Sequence, residues 1–265
     1  MALIPSYEDF ARAFDAGQNQ VVYTRLAADL DTPVSLMLKL AQARKDSFML
    51  ESVTGGEVRG RYSVIGMKPD LIWECNGKTS RVNREARFDP DAFSAMPGDP
   101  IAALRSLIAA SRIDLPEGLP AISAGLFGYL GYDMIRLVEH LPDVNPDPLN
   151  LPDAVMMRPS VIVVLDGVKG EVTVVSPAWV ESGLNARAAY AQAAERVMDA
   201  VRDLDRAAPN ETRNLGDLEQ VADPVSNTSK ADYFAMVEKA REYIRAGDIF
   251  QVVPSQRWTQ DFNLP

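Results

Sequence analysis

Residues 47–52 and 61–66 predict a pair of strands, and along the second apolar and polar residues follow a period of two. In the second stretch Tyr62 and Val64 share one face, while Arg61, Ser63 and Ile65 take the other. Residues 53–60 join the two strands and contain Gly55, Gly56 and Gly60. The Gly55-Gly56 step can take positive φ, so this loop can fold tightly or close over something small. Two further strands, 71–76 and 78–83, flank Asn76-Gly77, a strong short hairpin signal. Four strands, mostly antiparallel, are thus expected to lie close together.

A helical period governs other parts of the chain. Residues 6–16 predict a helix capped by Ser6, with Asp9 completing a capping-box pattern, and 20–26 predict a strand. Thr32-Pro33 supplies a cap and a first-turn proline to a helix whose buried stripe reads Val34, Met37, Leu38, Ala41. Asp99-Pro100 repeats that start, with Ile101, Leu104, Leu107 and Ile108 at helical spacing, and the polar stretch 84–98 before it reads as a loop. Residues 121–133 are apolar and aromatic with Gly125, Gly128 and Gly131 every third position, which predicts a central strand packed tightly against another layer. Four prolines between 141 and 152 make an extended surface crossing. A hairpin around Asp166-Gly167 follows, with 161–165 apolar throughout and so buried on both faces. A helix over 190–204 presents Tyr190, Ala194, Val197, Met198, Val201 and Leu204 on one side.

The character changes at 206–229, rich in Asn, Asp, Pro and Ser, which reads as a linker between a domain over 1–205 and a shorter segment over 230–265. In that segment Ser229 caps a helix with the stripe Tyr233, Val237, Ala240, Ile244, and Gly247 stops it. Residues 248–258 then read as a strand, with Pro254 marking an edge or a bulge. One helix and one strand do not bury a core, so the segment reads as the interrupted start of a larger domain.

Composition narrows the chemistry. A net charge of −10 disfavours nucleic acid and anionic membrane as partners. No apolar run approaches the ~18 residues of a membrane-spanning helix. A single cysteine, Cys75, and a single histidine, His140, exclude an internal disulfide and a Cys/His zinc site, and fit a reducing cytoplasm. Cys75 reads as a small buried apolar group, and His140 as structural or exposed. The candidate chemistry sits at the first hairpin, where Glu51, Ser52, Arg61 and Ser63 bring a carboxylate, two hydroxyls and a guanidinium to one end of the strands. Such a set can hold a zwitterion such as a free amino acid, or simply solvate a structural hairpin.

Three ordered stretches carry a resemblance. They are Leu50-Glu51-Ser52 with Gly60-Arg61-Tyr62-Ser63; Phe127-Gly128-Tyr129-Leu130-Gly131-Tyr132-Asp133; and Ala246-Gly247-Asp248-Ile249-Phe250-Gln251-Val252-Val253 with Ser255-Gln256-Arg257. In this order and spacing the chain, from about Tyr23 onward, resembles the large subunit (component I) of the anthranilate synthase family. The fold this implies is α+β, with packed, mostly antiparallel sheets, outer helices and the start of a chorismate-binding domain cut at Pro265.

The resemblance also implies a function. Members convert chorismate and ammonia to anthranilate and pyruvate with magnesium, in the cytoplasm. Ammonia comes from glutamine through a separate amidotransferase subunit, component II, in a heterotetramer. L-tryptophan inhibits by feedback, and half of its site falls on Leu50, Glu51 and Ser52. The catalytic histidine and the magnesium-binding glutamates belong to motifs not found before Pro265, and His140 does not match that histidine's context. These 265 residues are therefore expected to be inactive alone. Two alternatives stay open: the large subunit of aminodeoxychorismate synthase, and a stand-alone amino-acid-binding regulatory module.

Overall fold

The computed structural model describes residues 2–41, 44–51, 60–143, 146–207 and 222–261. It divides into two compact units, Met1–Pro209 and Asn210–Pro265.

The first unit is built on an antiparallel sheet. Its strands are β1 (Gln20–Ala27), β2 (Phe48–Leu50), β3 (Tyr62–Asn76), β4 (Thr79–Asn83), β5 (Phe93–Met96), β6 (Phe127–Leu130), β7 (Ala154–Asp166) and β8 (Glu171–Ala178). They run in the order β1-β8-β7-β3-β4-β5, with β2 added beside β3 and β6 beside β7. The stretches 61–66 and 71–76, read separately from the sequence, are two ends of the one strand β3. A bulge joins them: pairing with β7 moves from Pro69↔Pro159 to Leu71↔Arg158, so Asp70 is the extra residue. The Asn76-Gly77 turn closes the β3–β4 hairpin, with Gly77 at φ +54°. Residues 84–98 are not all loop, because Phe93–Met96 pair with β4.

Helices cover the sheet: α1 (Tyr7–Asp15), α2 (Pro33–Leu40), α3 (Pro100–Ala110) and α4 (Ala186–Leu204). Ser6, Thr32, Asp99 and Asn185 each accept a first-turn amide, as N-caps do. One core joins Leu36, Leu40, Ile65, Val163 and Val197 under α2 and α4. Val64, Ile162 and Val164 look the other way, onto Ile113, Leu119 and Ile122. The alternation of Val64 and Ile65 is therefore as the period of two requires, and the run Val161, Ile162, Val163, Val164, Leu165 is buried on both faces.

Three expectations need correction. Of the expected α2 stripe, Ala41 is buried and Met37 packs on the core, but Val34 and Leu38 are exposed and Leu36 and Leu40 take their place, because the helix docks a shifted face of its nearly all-apolar surface. The buried stripe of α4 is Ala186, Ala189, Ala193, Val197 and Ala200, whose small side chains let the helix backbone approach the sheet; of the expected residues Tyr190, Ala194, Val201 and Leu204 pack partly against the core, and Met198 is left exposed. The glycine-rich stretch is not a central strand. Only Phe127–Leu130 pair, at an edge beside β7, and Tyr129 and Leu130 are half exposed. Close approach does explain one glycine: a Cβ on Gly128 would lie 1.8 Å from the Val155 carbonyl oxygen.

In the second unit, Ser229 caps α5 (Lys230–Ala246) and Gly247, at φ +83°, ends it. No residue of α5 is buried, and Tyr233, Val237 and Ala240 are its least exposed positions. Residues 248–258 do not form the expected strand. Only Trp258–Thr259 (β10) pair, with Val225–Ser226 (β9), since Pro254 lacks the amide donor a ladder needs. Among the described residues no helix is long and apolar enough to cross a membrane.

Candidate functional site at the first hairpin

β2 pairs antiparallel with β3, Phe48 opposite Gly66 and Leu50 opposite Val64. Phe48 and Leu50 thus lie on the Val64 face, and Met49 packs on the α2/α4 core. Gly66 makes room for an aromatic ring: a Cβ there would lie 2.3 Å from the Phe48 ring. Phe48 in turn stacks on Phe127, centroids 4.8 Å apart at 27°. Beyond this stack the strand opens outward. Leu50 is 48% exposed, and Glu51 is exposed. Ser52, the third residue carried over from the resemblance, lies outside the described residues together with 53–59.

The other strand end is fixed by charge. Arg61 donates from Nε and Nη2 to both oxygens of Asp166, at 2.9 and 2.6 Å. Asp166 also accepts the amides of Val168 and Lys169, which shapes the β7–β8 turn. The Arg61 hydrogen bonds hold the Asp166 carboxyl below the usual carboxylate range; burial opposes them, and the two turn amides add to the lowering. The guanidinium that the sequence offered to a ligand is thus engaged in tying β3 to this turn. The Arg61 guanidinium also lies 5.1 Å from the centre of the Tyr62 ring. Phe48, Tyr62 and Phe127 pack on the Val64 face of the hairpin, and Glu51 is exposed at the strand end.

His140 is exposed. Cys75 is fully buried, and burial, then Asp153 and Asp99, push its thiol pKa up, as befits an inert core group. Among the described residues no group of three or more His, Cys, Asp or Glu is placed to hold a metal ion.

A second charged cluster was missed in the sequence. Arg158 on β7 is 5% exposed and donates to both oxygens of Asp70, at 2.8 and 3.2 Å, and to Glu181 at 2.6 Å. Its guanidinium lies 4.3 Å from the centre of the Trp179 ring. The bulge in β3 is what aims Asp70 at it. The legible signal was an arginine inside an otherwise apolar strand, since such a charge is buried only with partners.

Comparison with known proteins bears on the whole chain. The family model for chorismate binding enzymes matches residues 48–265. The chain belongs to that family. It is similar to anthranilate synthase component 1 of Cereibacter sphaeroides, 73% identical over 260 residues, covering 98% of this chain and 52% of the relative. It is 35% identical to anthranilate synthase component 1 of Pseudomonas putida, covering 96% of this chain and 51% of that one. The chain thus spans about half the length of these curated relatives. The crystal structure of anthranilate synthase component I from Streptococcus pneumoniae TIGR4 matches with TM-score 0.55 at 24% identity, over 85% of this chain and 46% of that one, and shares the fold.

Proposed function

We propose that this chain is the effector-binding, N-terminal portion of an anthranilate synthase component 1. The observation that carries the reading is the 73% identity to the Cereibacter sphaeroides protein of that name, sustained over 98% of the chain. The complete enzyme takes chorismate and ammonia to anthranilate and pyruvate with magnesium. Its ammonia comes from a glutamine amidotransferase partner, and L-tryptophan inhibits it. In this reading Leu50, Glu51 and Ser52 form half of the tryptophan site. Support comes from the hairpin's form: an exposed strand end with a carboxylate that can meet an ammonium group, on a hairpin that also carries the Phe48–Phe127 pair.

The test uses two proteins. The 265-residue chain alone, given chorismate, ammonium and magnesium, forms no fluorescent anthranilate. The same chain joined to the part of the Cereibacter sphaeroides relative that it does not cover forms anthranilate, and L-tryptophan suppresses it. Turnover by the isolated chain, or a joined enzyme indifferent to L-tryptophan, would overturn the corresponding half of the reading.

A further inference from the structure

At one end of the sheet, away from the first hairpin in sequence, a cavity of about 430 Å³ is lined by four arginines, Arg84, Arg87, Arg158 and Arg196, and two carboxylates, Asp70 and Glu181. The carboxylates are already engaged. Asp70 is bidentate to Arg158, and Glu181 bonds Arg158 at 2.6 Å and reaches Arg84 at 3.7 Å. Arg196 donates from Nε to the Ser176 hydroxyl at 2.8 Å and from Nη2 to the Pro177 carbonyl at 3.0 Å. Both acceptors are neutral; Asp70 and Glu195 act on its charge from nearby, but among the described residues no carboxylate bonds it. Arg87 makes no hydrogen bond or ion pair among the described residues; its guanidinium only lies 5.8 Å from the Phe88 ring centre. Two guanidiniums thus face one cavity without a carboxylate of their own, on a chain whose net charge is −10. Trp179 and Phe88 add flat apolar surface to the wall.

We infer that this cavity binds a small organic phosphate, its dianionic head between Arg87 and Arg196 and its body against the aromatic wall. Arginine's planar fork matches phosphate oxygens in pairs, and two guanidiniums without a carboxylate hydrogen bond match a doubly charged head. The cavity exceeds the volume of a bare phosphate, which leaves room for an organic body. Burial, and then the neighbouring Arg87, push the Arg196 pKa down to about 10, with Asp70 and Glu195 acting the other way; a bound dianion would counter the Arg87 repulsion. This site is independent of the hairpin and of the anthranilate reading.

The probe is inorganic phosphate at pH 8, with chloride adjusted to constant ionic strength. Intrinsic tryptophan fluorescence and melting temperature of the 265-residue chain are followed, with malonate as a dicarboxylate comparator. Expected is a saturable response to phosphate with a rise in melting temperature. Arg87→Gln, at an exposed residue, weakens it about tenfold or more, the loss of one charge-assisted contact. Arg12→Gln, at an exposed residue of α1 outside the cavity, leaves it unchanged. Arg196→Gln is a poor sole test because it also removes the bonds to Ser176 and Pro177. No saturable response, an equal response in Arg87→Gln, or malonate binding as tightly as phosphate would each overturn the inference.

Discussion

Replacing Gly128 by alanine tests how β6 is held. The added Cβ would sit 1.8 Å from the Val155 carbonyl oxygen, 2.8 Å from its carbon and 2.9 Å from the Met156 Cα. All three are backbone atoms of β7, which is paired on its other side with β3, so β7 cannot retreat. The edge strand must yield. The cost is bounded by what β6 contributes when docked. That is four register pairs with β7, at roughly 0.5–1.5 kcal/mol net per hydrogen bond, and the Phe48–Phe127 stack at about 1 kcal/mol. Part of this returns as backbone entropy of the released residues, which leaves an expected loss of about 2–4 kcal/mol. The assay is urea unfolding followed by far-UV circular dichroism, with the slope m checked for constancy. Gly17→Ala is the comparator: it has φ +83° and nothing within 4 Å, so backbone strain alone should cost about 1–2 kcal/mol. A midpoint for Gly128→Ala equal to wild type would refute the close-approach account of this glycine.

Asp166→Asn keeps an oxygen for the turn amides but removes the charge facing Arg61, and is expected to cost about 3 kcal/mol. Because the Asp166 pKa is lowered in the fold, its stabilisation is full above the unfolded value of about 4 and lost as pH falls through the lower folded value; the gap between wild type and Asp166→Asn should close only in that acid window. Ala193→Leu, at a fully buried position of α4, should lose about 1–3 kcal/mol in the same denaturant assay. Met198→Ala, on the exposed side, should change stability by less than about 0.5 kcal/mol. In the joined enzyme, Ser52→Phe should relieve inhibition by L-tryptophan while anthranilate formation continues; unchanged inhibition would remove Ser52 from the effector site.

Local signals were legible where they rest on backbone chemistry. Ser6, Thr32, Asp99 and Ser229 cap the helices that the sequence places after them, because an N-cap needs only a side-chain oxygen two or three residues upstream of a free amide. Asn76-Gly77 and Asp166-Gly167 mark real turns for the same reason. What was not legible is which face of an apolar helix docks. Leu36 and Leu40 displaced Val34 and Leu38 because the choice depends on the partner surface, and α4 docks through alanines because the sheet lies close. The strand expected over 248–258 shows the same limit, since a ladder needs a neighbour as well as a pattern. Of the candidate site, the hairpin and the shared face of Tyr62 and Val64 were readable from the period of two. The engagement of Arg61 by Asp166, 105 positions away, was not, and neither was the convergence of arginines from β7, α4 and 84–87 on one cavity.

The measurement that bears most directly on the account is the identity of the product made from chorismate and ammonia by this chain joined to the uncovered part of its Cereibacter sphaeroides relative. Separation of the reaction by liquid chromatography and mass spectrometry should give anthranilate and pyruvate in equal amounts. Amino-deoxychorismate without release of pyruvate would contradict the account.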